Sequence, residues 1–122
     1  MYKLIDDGKY FLADEIEMIL EIVSEEYNFD FSITEIYLHG SQLTDKEYPN
    51  DIDVYVQVSF NNNIKETQLL ELLSQKVYEK NTEFKGTNID LSLGLTDFKT
   101  HQNKLAGMDY KYRDLPFEEI KY

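Results

Sequence analysis

The stretch Asp51-Ile52-Asp53-Val54-Tyr55-Val56-Gln57-Val58-Ser59-Phe60 limits the fold more than any other part of the chain. Ile52, Val54, Val56 and Val58 recur at every second position, the period of a β-strand with one buried face. Their β-branched side chains suit a pleated, packed surface. The same period orients the acids. Asp51 and Asp53 are two apart, so both project from the face opposite the valines. Carboxylates side by side repel, and each raises the other's pKa unless a cation intervenes. A divalent ion that prefers oxygen ligands, magnesium or manganese, resolves that conflict. Such ions take one or two carboxylates together with phosphate oxygens. The plainer alternative is a pair of solvated aspartates on an edge strand.

Other elements can be read around this strand. Asp14 and Glu17 match a capping box, and Ile16, Ile19, Leu20, Val23 and Tyr27 recur at helical spacing. They predict a helix that stops near Asn28. Upstream, Tyr2 to Ile5 and Lys9 to Leu12 flank the turn-forming Asp6-Asp7-Gly8 and read as a short hairpin. Ile33 to His39 reads as a strand that ends at Gly40-Ser41. A helix is expected from Ile64 to Lys80, with Leu69, Leu72, Leu73 and Val77 inward. A strand should follow from Thr87 to Leu95, with Ile89, Leu91 and Leu93 facing the core. Asp97 to Leu105 suggests a short helix. The aromatic end (Tyr110, Tyr112, Phe117, Tyr122) is expected to pack locally. The order helix, strand, strand, helix, strand predicts an α/β (α+β) chain: a small mixed β-sheet flanked by helices.

A chain of 122 residues fits a single domain, residues 1–122, with little room for a separate substrate-binding domain. It has no cysteine, which removes disulfides, thiolate zinc sites and thiol nucleophiles. Its 24 acids outnumber 12 bases, for a formal charge of -12. Nucleic-acid binding is driven largely by cations meeting phosphates, so this balance argues against generic nucleic-acid binding. It also opposes binding of a free nucleoside triphosphate. Metal ions would have to supply positive charge there, since Arg113 is the single arginine. No apolar run is long enough to span a membrane, and no secretory leader is evident, so the expected location is cytoplasmic.

A third acid, Asp90, sits between Ile89 and Leu91 and therefore opposes an apolar face. If its strand lies beside that of Asp51 and Asp53, the three carboxylates can hold two ions about 4 Å apart. Gly40 allows the chain to turn closely under a ligand. The Ser41 hydroxyl and the amides after it can hold phosphate oxygens.

Together, LHGSQLTDKEYPNDIDVYV and NIDLSLGL resemble the signature of the nucleotidyltransferase superfamily, which includes DNA polymerase beta and minimal stand-alone relatives. That signature is an apolar strand, Gly-Ser, about ten variable residues, Asp-x-Asp in the next strand and a third Asp on a later one. The resemblance covers about Ile33 to Leu95. It implies the nucleotidyltransferase fold, with Mg2+ or Mn2+ as cofactor and ATP as the expected nucleotide. Asp51 and Asp53 would hold both metals. Asp90 would bind the catalytic metal and assist removal of the acceptor proton. Gly40 and Ser41 would hold the nucleotide's phosphates. Gln42 and Leu43 stand where many relatives carry a basic residue, which leaves Lys46 as a substitute phosphate contact.

The implied reaction moves AMP from ATP to an acceptor hydroxyl. Small stand-alone members are often paired with a HEPN-type toxin that they modify, so the resemblance also implies a protein partner and an antitoxin role. Two other readings stand beside it. One is a binding module that kept the fold and lost turnover. The other is a small-molecule transferase similar to aminoglycoside-modifying relatives, which needs a homodimer to complete its pocket. His39 reads first as the end of a strand and second as a phosphate or base contact. His101 reads as an ordinary surface residue.

Overall fold

The computed structural model describes residues 6–40, 51–61, 65–80, 83–84 and 87–121. These residues form a mixed α+β fold. In chain order they are α1 (Asp6–Tyr27), β1 (Phe31–His39), β2 (Ile52–Phe60), α2 (Glu66–Glu79), β3 (Glu83–Phe84), β4 (Thr87–Gly94), α3 (Phe98–Met108), a 3-10 turn (Tyr110–Tyr112) and β5 (Phe117–Lys121). The strands lie in the order β3-β4-β2-β1-β5. β2 is therefore internal, antiparallel to β1 and parallel to β4. The internal position rules out the edge-strand reading of Asp53.

One sheet face carries the main core. Ile52, Val54, Val56 and Val58 of β2, Ile36 and Leu38 of β1, Ile89 of β4 and Ile120 of β5 pack there against α1 and α2. From α1 come Leu12, Ala13, Ile16, Ile19, Leu20 and Val23, and from α2 Leu73 and Val77. A bulge lets β1 contribute along its whole length. The register shifts between Ile33 and Glu35, so Ile33 opposite Val58 shares the core face with Ile36 opposite Val56. A strict period of two would have turned Ile33 away.

The expected N-terminal hairpin is absent over the described part of its span. Asp6 to Leu12 is instead the opening of α1. Its apolar stripe begins at Leu12 and continues through Ala13, Ile16, Ile19, Leu20 and Val23, a helical period from the start. Asp14 and Glu17, read as a capping box, are consequently interior to the helix. Its expected end is correct. Asn28 adopts a left-handed conformation (φ 59°), and the Phe29 amide donates to the Ser24 carbonyl at 3.0 Å, closing a Schellman-type cap. Ion pairs tie the helix down at both ends: Lys9 to Glu118 of β5 at 3.0 Å, and Glu26 to Lys80 beyond α2 at 2.6 Å.

Smaller differences follow from packing. Leu72, expected inward, is exposed, while Leu69 and Leu70 pack against the core. The short helix near Asp97 is α3. Asp97 caps it by accepting from the Thr100 amide at 2.7 Å. The aromatic tail holds a strand that composition did not suggest. β5 pairs with the second half of β1, Ile36 to His39. No described helix is long and apolar enough to cross a membrane.

Leu12 distinguishes the helix from the hairpin. It is fully buried, so Leu12→Ala should cost about 2–5 kcal/mol in urea unfolding. A loss below about 1 kcal/mol, the range of a surface substitution, would mean that the first turns of α1 do not pack on the sheet.

Candidate functional site

Three strands set one polar row across the second sheet face. His39 of β1 pairs with Asp53 of β2, and Asp53 pairs with Asp90 of β4. Asp51, just before β2, has the same parity as Asp53. Carboxylate oxygens of Asp51, Asp53 and Asp90 all lie within 4.8 Å of one another. The three acids singled out in the sequence thus meet, and the neighbouring strands required for Asp90 are present. They meet where the parallel strands β2 and β4 begin.

Gly40 closes on this row. Its φ is +76°, in the region that favours glycine, and a Cβ added there would run into the Asp53 carboxylate. Its amide donates to the Pro116 carbonyl at 3.2 Å, which holds the end of β1 against the approach to β5. Gly40 therefore lies directly against Asp53. Ser41 and Lys46, the other two expected phosphate contacts, lie outside the described residues.

The electrostatics of the row are unfavourable as it stands. Burial, then the charges of Asp90 and Asp51, push the Asp53 carboxyl up to about 6 from 3.8. His39 does not compensate. Burial, and then the nearby His101, hold its imidazole down to about 4 from 6.5, so it is neutral at physiological pH. Its ring stacks on Phe98 of α3, with centroids 4.8 Å apart. His39 does end its strand, as first expected, and it also flanks Asp53.

The part of this face around Tyr55 is covered by α3, and sequence reasoning missed that cover. Tyr55, two residues beyond Asp53, is fully buried although it lies on the acid face. Its ring stacks on His101, centroids 4.5 Å apart, and its hydroxyl donates to the Thr96 carbonyl at 2.6 Å. Gly94 makes room, because a Cβ there would collide with the Tyr55 ring. His101 is thus a packing residue of this face, and its pKa is lowered by burial and then by Lys104. An aromatic residue at the parity of Asp53 was the available signal.

A cleft of about 560 Å³ opens beside the triad, lined by Asp51 and Asp90, by Asn88, Ile89 and Leu91 of β4, and by the end of α2. Tyr78 of α2 stands exposed at its mouth.

Residues 16–112 match the model of a family of unknown function, DUF6932. The chain belongs to this family. Its model takes in Gly40 and all three aspartates. No curated protein and no solved structure matches the chain.

The three carboxylates fit a hard divalent cation. Trans ligands on one magnesium stand about 4.2 Å apart, so small side-chain rotations would bring the three oxygens onto one ion. A cation would also relieve the repulsion at Asp53.

The pH dependence of the metal-free protein follows. Because the folded pKa of Asp53 is raised from 3.8 to about 6, folding favours its protonated form. Its contribution is present in full below about 4 and is lost as pH rises through about 6. Half exposure screens this to about 1–2 kcal/mol. His39 acts in the opposite sense over the same window, since its folded pKa is depressed. The quantity to read is therefore the difference between parent and Asp53→Asn in urea midpoints from pH 4 to 7. The parent should lose stability relative to the variant as pH rises, and millimolar magnesium should cancel the loss at pH 7. Superimposable profiles would mean that neither burial nor the neighbouring carboxylates raise the Asp53 pKa.

Proposed function

We propose that the chain is a metal-dependent nucleotidyltransferase that moves a nucleoside monophosphate, AMP from ATP, to a hydroxyl on a partner protein. One observation carries this reading: the pairing of Asp53 with Asp90, with Asp51 beside them and the Gly40 turn closed over the row. Divalent ions held there would screen the triphosphate charge and polarise the α-phosphate. Asp51 and Asp53 hold the site from one strand, and Asp90 from its parallel neighbour. Gly40 keeps the phosphate approach free of side-chain bulk. The acceptor oxygen attacks the α-phosphorus, the bond to pyrophosphate breaks, and Asp90 takes the acceptor proton on its way to solvent. Positioning and charge neutralisation supply most of the acceleration in such a reaction. The resemblance noted in the sequence suggests a HEPN-type toxin as the acceptor protein, with this chain as its antitoxin.

A second reading, a module that holds nucleotide without turnover, is favoured by the cleft beside the triad, which has no lysine or arginine among its described lining residues. The two readings separate in one assay. With ATP labelled on the α-phosphate, magnesium and the partner, the parent should label the partner. Asp53→Ala and Asp90→Ala should each reduce labelling by at least about a hundredfold. Equal labelling by Asp53→Ala would sink the transferase reading. Tight, magnesium-dependent ATP binding with no labelling would favour the module.

A further inference from the structure

The opposite end of β1 carries a second feature, independent of the triad. β5 pairs only with Ile36 to His39, so the outer edge of Phe31 to Glu35 has no strand beside it among the described residues. Alongside lies a groove of about 540 Å³. Its floor is Leu20 of α1 with Phe31 and Ile33 of β1, and its wall is Glu17, Glu21, Ser24 and Glu25 of α1. Phe31–His39 is nine residues, on the order of 25 Å of strand, so this groove is remote from the aspartates.

We propose that this groove docks an extended basic peptide of a partner protein, which adds as a strand to the free edge of β1 and places lysines at alternate positions over α1. Three features specify that occupant. An unpaired edge offers backbone donors and acceptors to another strand. The glutamates recur every four residues on a helix, a spacing of about 6 Å, while alternate residues of a strand recur every 6.6–6.8 Å or so. The two repeats stay in step over three residues. The floor is apolar, which suits the methylene stems of lysine while the ammonium groups reach the carboxylates. A second copy of this chain is a poor occupant, because each copy carries a formal charge of -12.

The test uses the whole chain and synthetic peptides. The probe is a nine-residue peptide alternating Lys and Val, and the control has the same composition with its lysines clustered at one end. Fluorescence anisotropy should show the alternating peptide binding at least about tenfold more tightly than the control. Glu21 and Glu25 are exposed, so Glu21→Gln/Glu25→Gln should fold as the parent does and weaken binding by about tenfold. Hydrogen exchange should show those amides of Phe31 to Thr34 that point away from β2 slowing only when the alternating peptide is bound. Equal binding of both peptides, or an unchanged affinity in the double variant, would reduce the effect to general attraction by an acidic protein and overturn the proposal. Failure of either peptide to bind would overturn it as well. So would outward-pointing amides already protected in the free monomer, since the chain would then cover its own edge, or protected only in a dimer, since a second copy would be the occupant. None of these outcomes depends on nucleotidyl transfer.

Discussion

The parallel pairing of β2 with β4 is the constraint on which the rest of the structure depends. Parallel neighbours cannot be joined by a tight turn, so the chain between them must cross over the sheet. α2 makes that crossing and brings Leu73 and Val77 onto the core face. The same pairing sets Asp53 opposite Asp90 and starts both strands at one end of the sheet. Core and site are therefore not separate achievements of the sequence. The alternation that buries Ile52, Val54 and Ile89 on one side exposes Asp51, Asp53 and Asp90 on the other.

Period-two strands were the most legible part of the chain. β1, β2 and β4 stand close to where the alternation places them, and their parity alone orients Asp51 and Asp53. What alternation could not supply was adjacency. Asp90 joins the pair only because β4 lies beside β2, a non-local fact. The N-terminal hairpin failed for a different reason. Asp6-Asp7-Gly8 has turn composition, yet the apolar stripe from Leu12 to Val23 buries enough surface to draw those residues into α1. Tertiary packing outweighed local preference. β5 escaped notice because Phe117-Glu118-Glu119-Ile120-Lys121 is short and half charged. Its strand form comes from pairing with β1, not from its own pattern.

Tyr55 shows how the polar face is divided. A strand that buried only its valines would leave Tyr55 in water. Instead α3 lies over this part of the face, with Phe98 at the centre of a cluster that includes Tyr37, Tyr55 and Phe117. The Gln102 side-chain amide donates to the Leu115 carbonyl at 2.8 Å, which fastens α3 to the chain entering β5. Covering half of the face leaves the row of Asp53 at the border between apolar packing and solvent. Burial enough to raise the Asp53 pKa, and exposure enough to admit a ligand, both come from that border.

His39 bears on what such a ligand must be. It stands across from Asp53, where a protonated imidazole would offset part of the carboxylate charge. Stacking on Phe98 buries it, and His101 beside it adds a second obstacle to protonation. The aromatic cluster that organises this face thereby keeps the histidine paired with Asp53 from acting as a cation beside the triad. Among the described residues, repulsion among Asp51, Asp53 and Asp90 is relieved by a proton on Asp53 rather than by His39. A ligand that brings positive charge is therefore favoured at this row over an anionic one, and on the proposed reading a triphosphate would enter with its metal ions. The acidity of the whole chain points the same way. It is a weak argument when spread over the surface, and a much stronger one where three carboxylates converge beside a histidine that stays neutral.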